Sequence, residues 1–171
     1  PQKGIAMTMR PVYYAFAPAA EDTDGLADNV TATSGEPFTL ITDETGDGLA
    51  HKLVITPSGS VTGNYTISGL DADGQAVSEV LATNTTSAVT TVNFYASGIV
   101  VLAPAGLGAE TVDIGWADEF ASQTIPLEIF TDSAHTSVQV TLSGTANFDI
   151  EGTMSDIRAS YSPPPSQDDY T

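Results

Sequence analysis

The sequence lacks cysteine and is very poor in basic residues. Its 171 residues include 22 Asp and Glu but only four Lys and Arg, and the formal net charge is −18. Without cysteine there are no disulfides, no thiolate metal ligands and no cysteine nucleophile. Four scattered cations cannot build the basic surface that binding to nucleic acid or to an anionic membrane requires. We therefore expect neither nucleic acid nor a membrane as a partner.

Long apolar runs are also missing. No stretch approaches the roughly 20 apolar residues of a membrane-spanning helix, and residues 1–10 lack the apolar segment of a signal peptide. A first residue of proline is typical of a chain from which the initiator methionine has been removed. These features predict a protein that assembles in the cytoplasm of the cell that makes it.

The composition that remains is typical of a β protein. Hydrophobic residues make up 41% of the chain, and Thr, Val and Ser recur between frequent Gly and Pro. Apolar and polar residues alternate in segments such as 65–68 and 138–142, which is the period of a half-buried strand. This pattern predicts an all-β protein, a β-sandwich or barrel of about ten short antiparallel strands. The predicted strands are residues 37–42, 51–56, 63–70, 75–83, 89–95, 99–103, 110–116, 124–130, 137–143 and 147–153.

Turn residues and composition divide the chain into regions. Asp73-Gly74, between two predicted strands, is typical of a tight β-hairpin. Residues 1–20 are predicted as an extended N-terminal arm with a first strand, and residues 21–118 as the main β-sandwich domain. Residues 119–159 are either a second β subdomain or the strands that complete the first. Residues 160–171 contain three consecutive prolines and are predicted as a flexible tail.

The sequence contains no motif that is typical of an enzyme. It has no Gly-x-Ser-x-Gly nucleophile elbow, no phosphate-binding loop and no dinucleotide fingerprint. The two histidines, His51 and His135, are interpreted as surface residues, because nothing in their spacing favours a metal site. We expect no catalytic residues, no cofactor and no metal centre.

Acidic loops leave one question about metals open. Carboxylate oxygens suit Ca²⁺, and Asp43, Glu44 and Asp47 lie close together in a turn-rich loop. The loop lacks the closing Glu and the flanking helices of an EF-hand. Turn-forming aspartates are therefore the favoured interpretation, and calcium binding is the alternative.

Aromatic residues concentrate just after the arm. Tyr13, Tyr14 and Phe16 lie in a short apolar run, which is interpreted either as a first strand in the core of its own domain or as an anchor on another subunit, since Tyr and Phe are enriched at interface cores. The first interpretation is favoured. Trp116, the only tryptophan, has Ile114 and Phe120 as near neighbours and is predicted to lie in the core or at an interface.

One combination of motifs resembles a known class of protein. Residues 65–76 form a strand, an Asp-Ala-Asp-Gly hairpin and the start of a second strand, and residues 92–95 and 112–115 add Val-Asn-Phe-Tyr and Val-Asp-Ile-Gly. With residues 47–51 and 148–156, this order resembles the small β-rich virion proteins of tailed bacteriophages over residues 45–156. The resemblance implies a structural virion component and carries no catalytic residues.

Within that class, we expect a capsid decoration, or cement, protein. Such a protein would bind the major capsid protein on the outer surface of the shell, bridge neighbouring subunits and stabilise them. We expect a homo-oligomer, for which a trimer would suit a threefold capsid position. The residues expected at the interface are Lys3, Ile5, Met7, Met9, Arg10, Tyr13, Tyr14 and Phe16.

Two other functions remain as alternatives. The chain could be a tail, head–tail joining or fibre-base component of the virion. It could also be a β-sandwich binding module of a bacterial surface protein, which would require export.

Overall fold

A computed structural model describes residues 14–83, 86–125 and Asn147. The chain divides into two units, Pro1–Leu127 and Glu128–Thr171, and the strands described below all belong to the first. They are β1 (Asp22–Val30), β2 (Ala50–Pro57), β3 (Asn64–Leu70), β4 (Ala76–Ala82), β5 (Val89–Tyr95), β6 (Ser97–Leu102) and β7 (Val112–Ala121). In this part of the chain there is no helix, and hence none with the length and hydrophobicity to cross a membrane.

The strands form two antiparallel sheets that pack face to face. One sheet has the order β1-β7-β2-β5 and the other has the order β4-β3-β6. Leu53 and Ile55 of the first sheet and Tyr65 and Ile67 of the second are fully buried in one core. Each such side chain contributes about 1.5–3 kcal/mol of burial free energy. The prediction of an all-β, sandwich-type fold is confirmed.

Six of the ten predicted strands are present, as β2 to β7. Their limits differ from the predicted ones by a few residues, and β7 continues to Ala121. The predicted strands at 137–143 and 147–153 lie outside the described residues, except for Asn147. At the predicted strand 124–130, Thr124 and Ile125 are described and belong to no strand, and the rest lies outside.

The predicted hairpin joins β3 to β4. Its turn is closed by a hydrogen bond of 3.1 Å from the Gly74 amide to the Asp71 carbonyl. The Asp71 carboxylate accepts two more from the Asp73 and Gln75 amides, at 2.9 and 2.8 Å. Gly74 has a φ of 74°, which only glycine adopts at low cost.

The prediction of a strand at residues 37–42 is wrong. Only an isolated bridge joins Pro37 to Leu102. The Phe38 amide bonds to the Val101 carbonyl of β6, whereas the Ile41 amide bonds to the Leu26 carbonyl of β1. The segment therefore lies along β6 with one hydrogen bond to β1 and forms no continuous ladder with either strand, although its alternating pattern is that of a strand.

β1 is a strand that the pattern did not predict. Its pairing with β7 is interrupted twice by register shifts, between Asp22 and Ala27 and between Ala27 and Val30. Asn29 adopts a positive φ of 49° within it. These irregularities remove the strict alternation by which a strand is recognised.

The region limits drawn from the sequence remain predictions. Residues 1–13 and 160–171 lie outside the described residues. β7 runs without a break across positions 118 and 119, where the second β subdomain was predicted to begin.

The outward faces of the two sheets differ in charge. The even-numbered residues of β3, β4 and β6 alternate with the buried ones, point outward and are all uncharged; we call this surface the neutral face. On the other sheet, Lys52, Asp113 and Glu119 point outward, and Lys52 contacts the Glu119 carboxylate. One face of the sandwich is therefore polar and charged, and the other carries only neutral side chains.

Candidate interaction site

Residues 14–20, at the end of the predicted arm, form no strand and run outside the core. The side chains of Tyr14 and Phe16 are 43% and 41% exposed, and their rings stack with centroids 6.5 Å apart. The interpretation of the aromatic run as part of its own core is therefore wrong for these two residues. The other expected contact residues, Lys3, Ile5, Met7, Met9, Arg10 and Tyr13, lie outside the described residues.

Two hydrogen bonds tie this segment to the sandwich. The Ala19 amide donates to Oδ2 of Asp47 at 2.7 Å, and Nε1 of Trp116 donates to the Ala20 carbonyl at 3.0 Å. Both bonds act on backbone atoms, so they fix where the chain leaves the body. We call Ala19, Ala20, Asp47, His51 and Trp116 the arm root.

Asp47 is the acceptor on which the arm root depends. Besides the Ala19 amide, its carboxylate accepts hydrogen bonds from the Leu49 amide at 2.9 Å and faces Nε2 of His51 at 2.8 Å. Partial burial acts to raise the pKa of Asp47, but the two amides and the imidazole outweigh it and bring the pKa below its ordinary value of 3.8. The carboxylate is therefore ionised at neutral pH and engaged by several donors.

His51 is fully buried, so its interpretation as a surface histidine is wrong. Its Nδ1 lies 3.0 Å from the Ala117 carbonyl oxygen, and its Nε2 faces Asp47. Both ring nitrogens therefore lie within hydrogen-bond distance of an oxygen atom. His51 thus connects the loop that carries Asp47 to strand β7.

Aromatic rings enclose His51. The ring centroids of Trp116 and Phe120 lie 6.4 and 6.0 Å from that of His51. On its other side Trp116 packs against Gly25 of β1, where an added Cβ would lie only 2.5 Å from the Cη2 atom of the indole. The absence of a side chain at Gly25 therefore leaves the space that the indole occupies.

A second clamp holds the chain where it leaves β7. The amide of Thr124 donates to Oδ1 of Asp73 at 2.7 Å, and the Thr124 hydroxyl donates to Oδ2 of the same carboxylate. Asp73 lies in the β3–β4 hairpin, at the end of the sandwich where β2 begins and β5 ends. Both segments that connect the body to the rest of the chain are therefore fixed at one end of the sandwich, each by an aspartate.

The acidic loop acts as a hydrogen-bond acceptor in this structure. Thr45 and Asp47 order the loop, with the Thr45 hydroxyl donating to the Leu49 carbonyl at 2.7 Å. Within residues 14–83 and 86–125, no three acidic or histidine side chains are grouped closely enough to hold a metal ion. The favoured interpretation of the loop, turn-forming aspartates, agrees with the contacts of Asp47.

The role of His51 was missed, although the sequence contains a signal for it. In β2 the odd-numbered residues Leu53 and Ile55 point into the core, and the same alternation places position 51 inward. A polar side chain at an inward position requires a partner. The partner, Asp47, lies only four residues earlier, but no pattern indicates that the same carboxylate also binds Ala19.

Comparisons of the chain with protein-family models, with curated proteins and with solved structures find no match. The arm root and the Asp73 clamp are therefore the basis for a functional proposal. In both, a carboxylate holds backbone groups and presents a chain segment from a fixed position.

Proposed function

We propose that the chain is a non-enzymatic structural protein of a bacteriophage virion, a capsid decoration protein that binds the outer surface of the major capsid shell through its N-terminal arm. One observation carries the proposal: the exposed, stacked Tyr14 and Phe16 lie a few residues before the backbone that Asp47 and Trp116 hold. A segment presented in this way suits contact with another protein.

The distribution of charge supports the arm as the contact. Two of the four basic residues, Lys3 and Arg10, lie in residues 1–10. The body carries carboxylates in its loops, such as Asp43, Glu44 and Asp71. A partner surface with acidic groups would attract the arm and repel the body, which orients the body toward solvent.

The aromatic pair supplies the apolar part of the proposed contact. Aromatic side chains are enriched at the centres of protein interfaces, where they bury large area at low cost in conformational entropy. Stacking of Tyr14 on Phe16 already restricts both side chains before binding. The arm root would hold this pair at a fixed position relative to the sandwich.

The first test is the number of copies in purified virions of the phage that encodes the chain, measured by quantitative mass spectrometry. A decoration protein is expected at hundreds of copies per particle, because it follows the symmetry of the shell. Roughly six to a few tens of copies would instead favour a tail, head–tail joining or fibre-base component. Absence from the particle would contradict both.

The second test measures binding to capsids assembled without the chain. Deletion of residues 1–10, or the double variant Y14S/F16S, is expected to weaken binding by about a hundredfold, as loss of two central anchors does. The matched control is V92S, which removes a 76% exposed apolar side chain from β5. Equal binding by the arm variants and by V92S would contradict the proposal.

A further inference from the structure

We infer that the neutral face is a self-association surface, on which a second copy of this chain packs face to face. The inference goes beyond the proposed function. It concerns contact between copies in solution and holds whether or not the chain binds a capsid.

The neutral face is unusual in a chain of this charge. The chain carries a formal charge of −18, yet the even-numbered residues of β3, β4 and β6 include only Asn, Thr, Ser, Gly, Ala, Val and Leu. Glu79, the one charged residue of these strands, points the other way, and its Oε2 accepts a hydrogen bond of 3.1 Å from the Val92 amide. Solubility alone would not favour a whole sheet face without charge.

Apolar side chains are exposed on each strand of this face. Val80 of β4 is 65% exposed, Val100 of β6 is 40% exposed and Leu70 of β3 is 37% exposed. The strand register places Thr66 between Val80 on one side and Leu102 on the other. One row of mainly aliphatic groups therefore crosses all three strands, which is a surface that gains free energy when it leaves water.

The charge distribution favours a second copy as the occupant. Two copies that met through the outward face of the other sheet would bring Asp113 and Glu119 of each close to the carboxylates of the other, and like charges that face each other oppose association. A cationic partner would bind the acidic surfaces instead of this one. A neutral face that meets itself leaves no carboxylate facing another, and self-complementary contact of one patch generates a two-fold dimer.

The edge of this sheet excludes one other mode of association. Residues 35–43 lie along β6, where the Phe38 amide donates to the Val101 carbonyl at 2.9 Å and the Ile99 amide donates to the Asp43 carbonyl at 3.0 Å. These bonds occupy backbone groups that an added strand would need. Face-to-face packing of the sheet is therefore favoured over strand addition at β6.

The size of the face predicts a weak dimer. Three strands of about seven residues, about 4.8 Å apart with a rise of about 3.3 Å per residue, cover about 14 by 23 Å. This footprint is smaller than the ~800 Å² per partner of a standard interface. We expect a dissociation constant of about 0.1–1 mM, which is the range of small contacts.

The test is sedimentation velocity of the full chain from about 10 µM to about 1 mM. We expect a monomer–dimer equilibrium that shifts toward dimer as salt is added, because screening reduces repulsion between two strongly acidic copies. V80E is expected to raise the dissociation constant at least about tenfold. The matched control is V92E, which adds the same charge at a 76% exposed valine of the other sheet and is expected to change the dissociation constant little.

A second variant, S78E, places the charge elsewhere on β4, and circular dichroism confirms that each variant is folded. A monomer at all concentrations, or V80E and S78E that associate as V92E does, would overturn the inference. Deletion of residues 1–10 is expected to leave the dimer unchanged. Loss of capsid binding and loss of the dimer are therefore distinguishable, and either can occur without the other.

Discussion

The two ends of the sandwich are built by different means. At one end, which we call the anchor end, the carboxylates of Asp47, Asp71 and Asp73 accept hydrogen bonds from backbone amides. At the far end, glycines allow direct contact between loops: the Gly106 amide donates to the Thr62 carbonyl at 2.9 Å, and Gly63 has a φ of 108°. At the anchor end, carboxylates hold the segments that connect the body to the rest of the chain; at the far end, where Asp113 also accepts the Asn29 amide at 2.8 Å, the loops fit closely against each other at glycines.

The two ends of the sandwich therefore have different structural roles. The loops of the anchor end hold the two segments that connect the body to the rest of the chain. Asp47 holds the N-terminal segment and Asp73 holds the C-terminal segment, and protonation or substitution of either carboxylate would weaken that contact. The loops at residues 57–63 and 103–111 connect strands within the body; their one charged residue, Glu110, accepts a hydrogen bond of 3.0 Å from the Gly108 amide of its own loop. Variants at the far end should therefore change the stability of the whole body, whereas variants at the anchor end should mainly change how the arm is held.

The largest effect is expected for G106V. A Cβ at position 106 would overlap the Thr62 hydroxyl and carbonyl, so the two loops must separate. We expect a loss of about 3–5 kcal/mol in the free energy of unfolding, measured by chemical denaturation. The matched control is G59A, where the added Cβ meets only the flexible side chain of Glu110. Similar stability of both variants would show that steric fit does not define the far end.

D47A should weaken the arm root more than the body. The variant removes the acceptor of the Ala19 and Leu49 amides and of His51, and unsatisfied groups of this kind cost about 1–3 kcal/mol. Trp116 is the only tryptophan, so its fluorescence reports on the arm root, and we expect a red-shifted emission in the folded variant. D73A cuts the other clamp and should leave the emission of Trp116 unchanged. A red shift of the same size in D73A would contradict separate clamps.

Acid should act on the anchor end first. The pKa of Asp47 lies below 3.8 in the folded protein. The contribution of its carboxylate to folding stability is therefore fully present above the pKa of the unfolded chain, and it is lost as the pH falls through the pKa of the folded protein. We expect the emission of Trp116 to change below about pH 4 before the core unfolds, as followed by circular dichroism. D47N lacks this carboxyl and should lose that early step. An early step that persists in D47N would assign it to another group.

The smallest effect, a gain, is expected for Y65F. Within the described residues, the buried hydroxyl of Tyr65 has no hydrogen-bond partner, and burial raises the pKa of Tyr65 to about 12. Replacing Tyr65 by Phe removes an unsatisfied group near the far end and should add about 0.5–1 kcal/mol to the free energy of unfolding. Absorbance at alkaline pH should show one fewer late-titrating tyrosine. Destabilisation by Y65F would indicate that the hydroxyl is bound.

The fold was largely predictable because most strands alternate regularly. In β3, β4 and β6 every second residue is more buried than its neighbours over much of the strand, and Asp73-Gly74 marks the tight hairpin between β3 and β4. Two errors have a common cause. β1 and residues 37–42 both lie where the chain shifts register or changes partner, and a single sequence shows residue periodicity but not which strand supplies the partner.

The candidate site was less predictable, because its contacts are between residues distant in sequence. The sequence pattern favours a buried role for Tyr14 and Phe16, whereas the structure shows both side chains exposed. Trp116 bonds to Ala20 across 96 positions and Thr124 bonds to Asp73 across 51 positions. Neither contact follows from a fixed spacing of residues, so no local sequence pattern predicts it.

The antiparallel pairing of β1 with β7 has a mechanical consequence. β1 begins and β7 ends at the anchor end. A pull that separated the two connecting segments would therefore break the hydrogen bonds between β1 and β7 one after another, starting at that end. The hydrogen bonds of Asp47 and Asp73 would bear part of this pull before it reaches the ladder. Asp47 passes the pull on the N-terminal segment to the loop before β2, and Asp73 passes the pull on the C-terminal segment to the other sheet. The two aspartates thus share a pull that would otherwise act on the β1–β7 ladder alone.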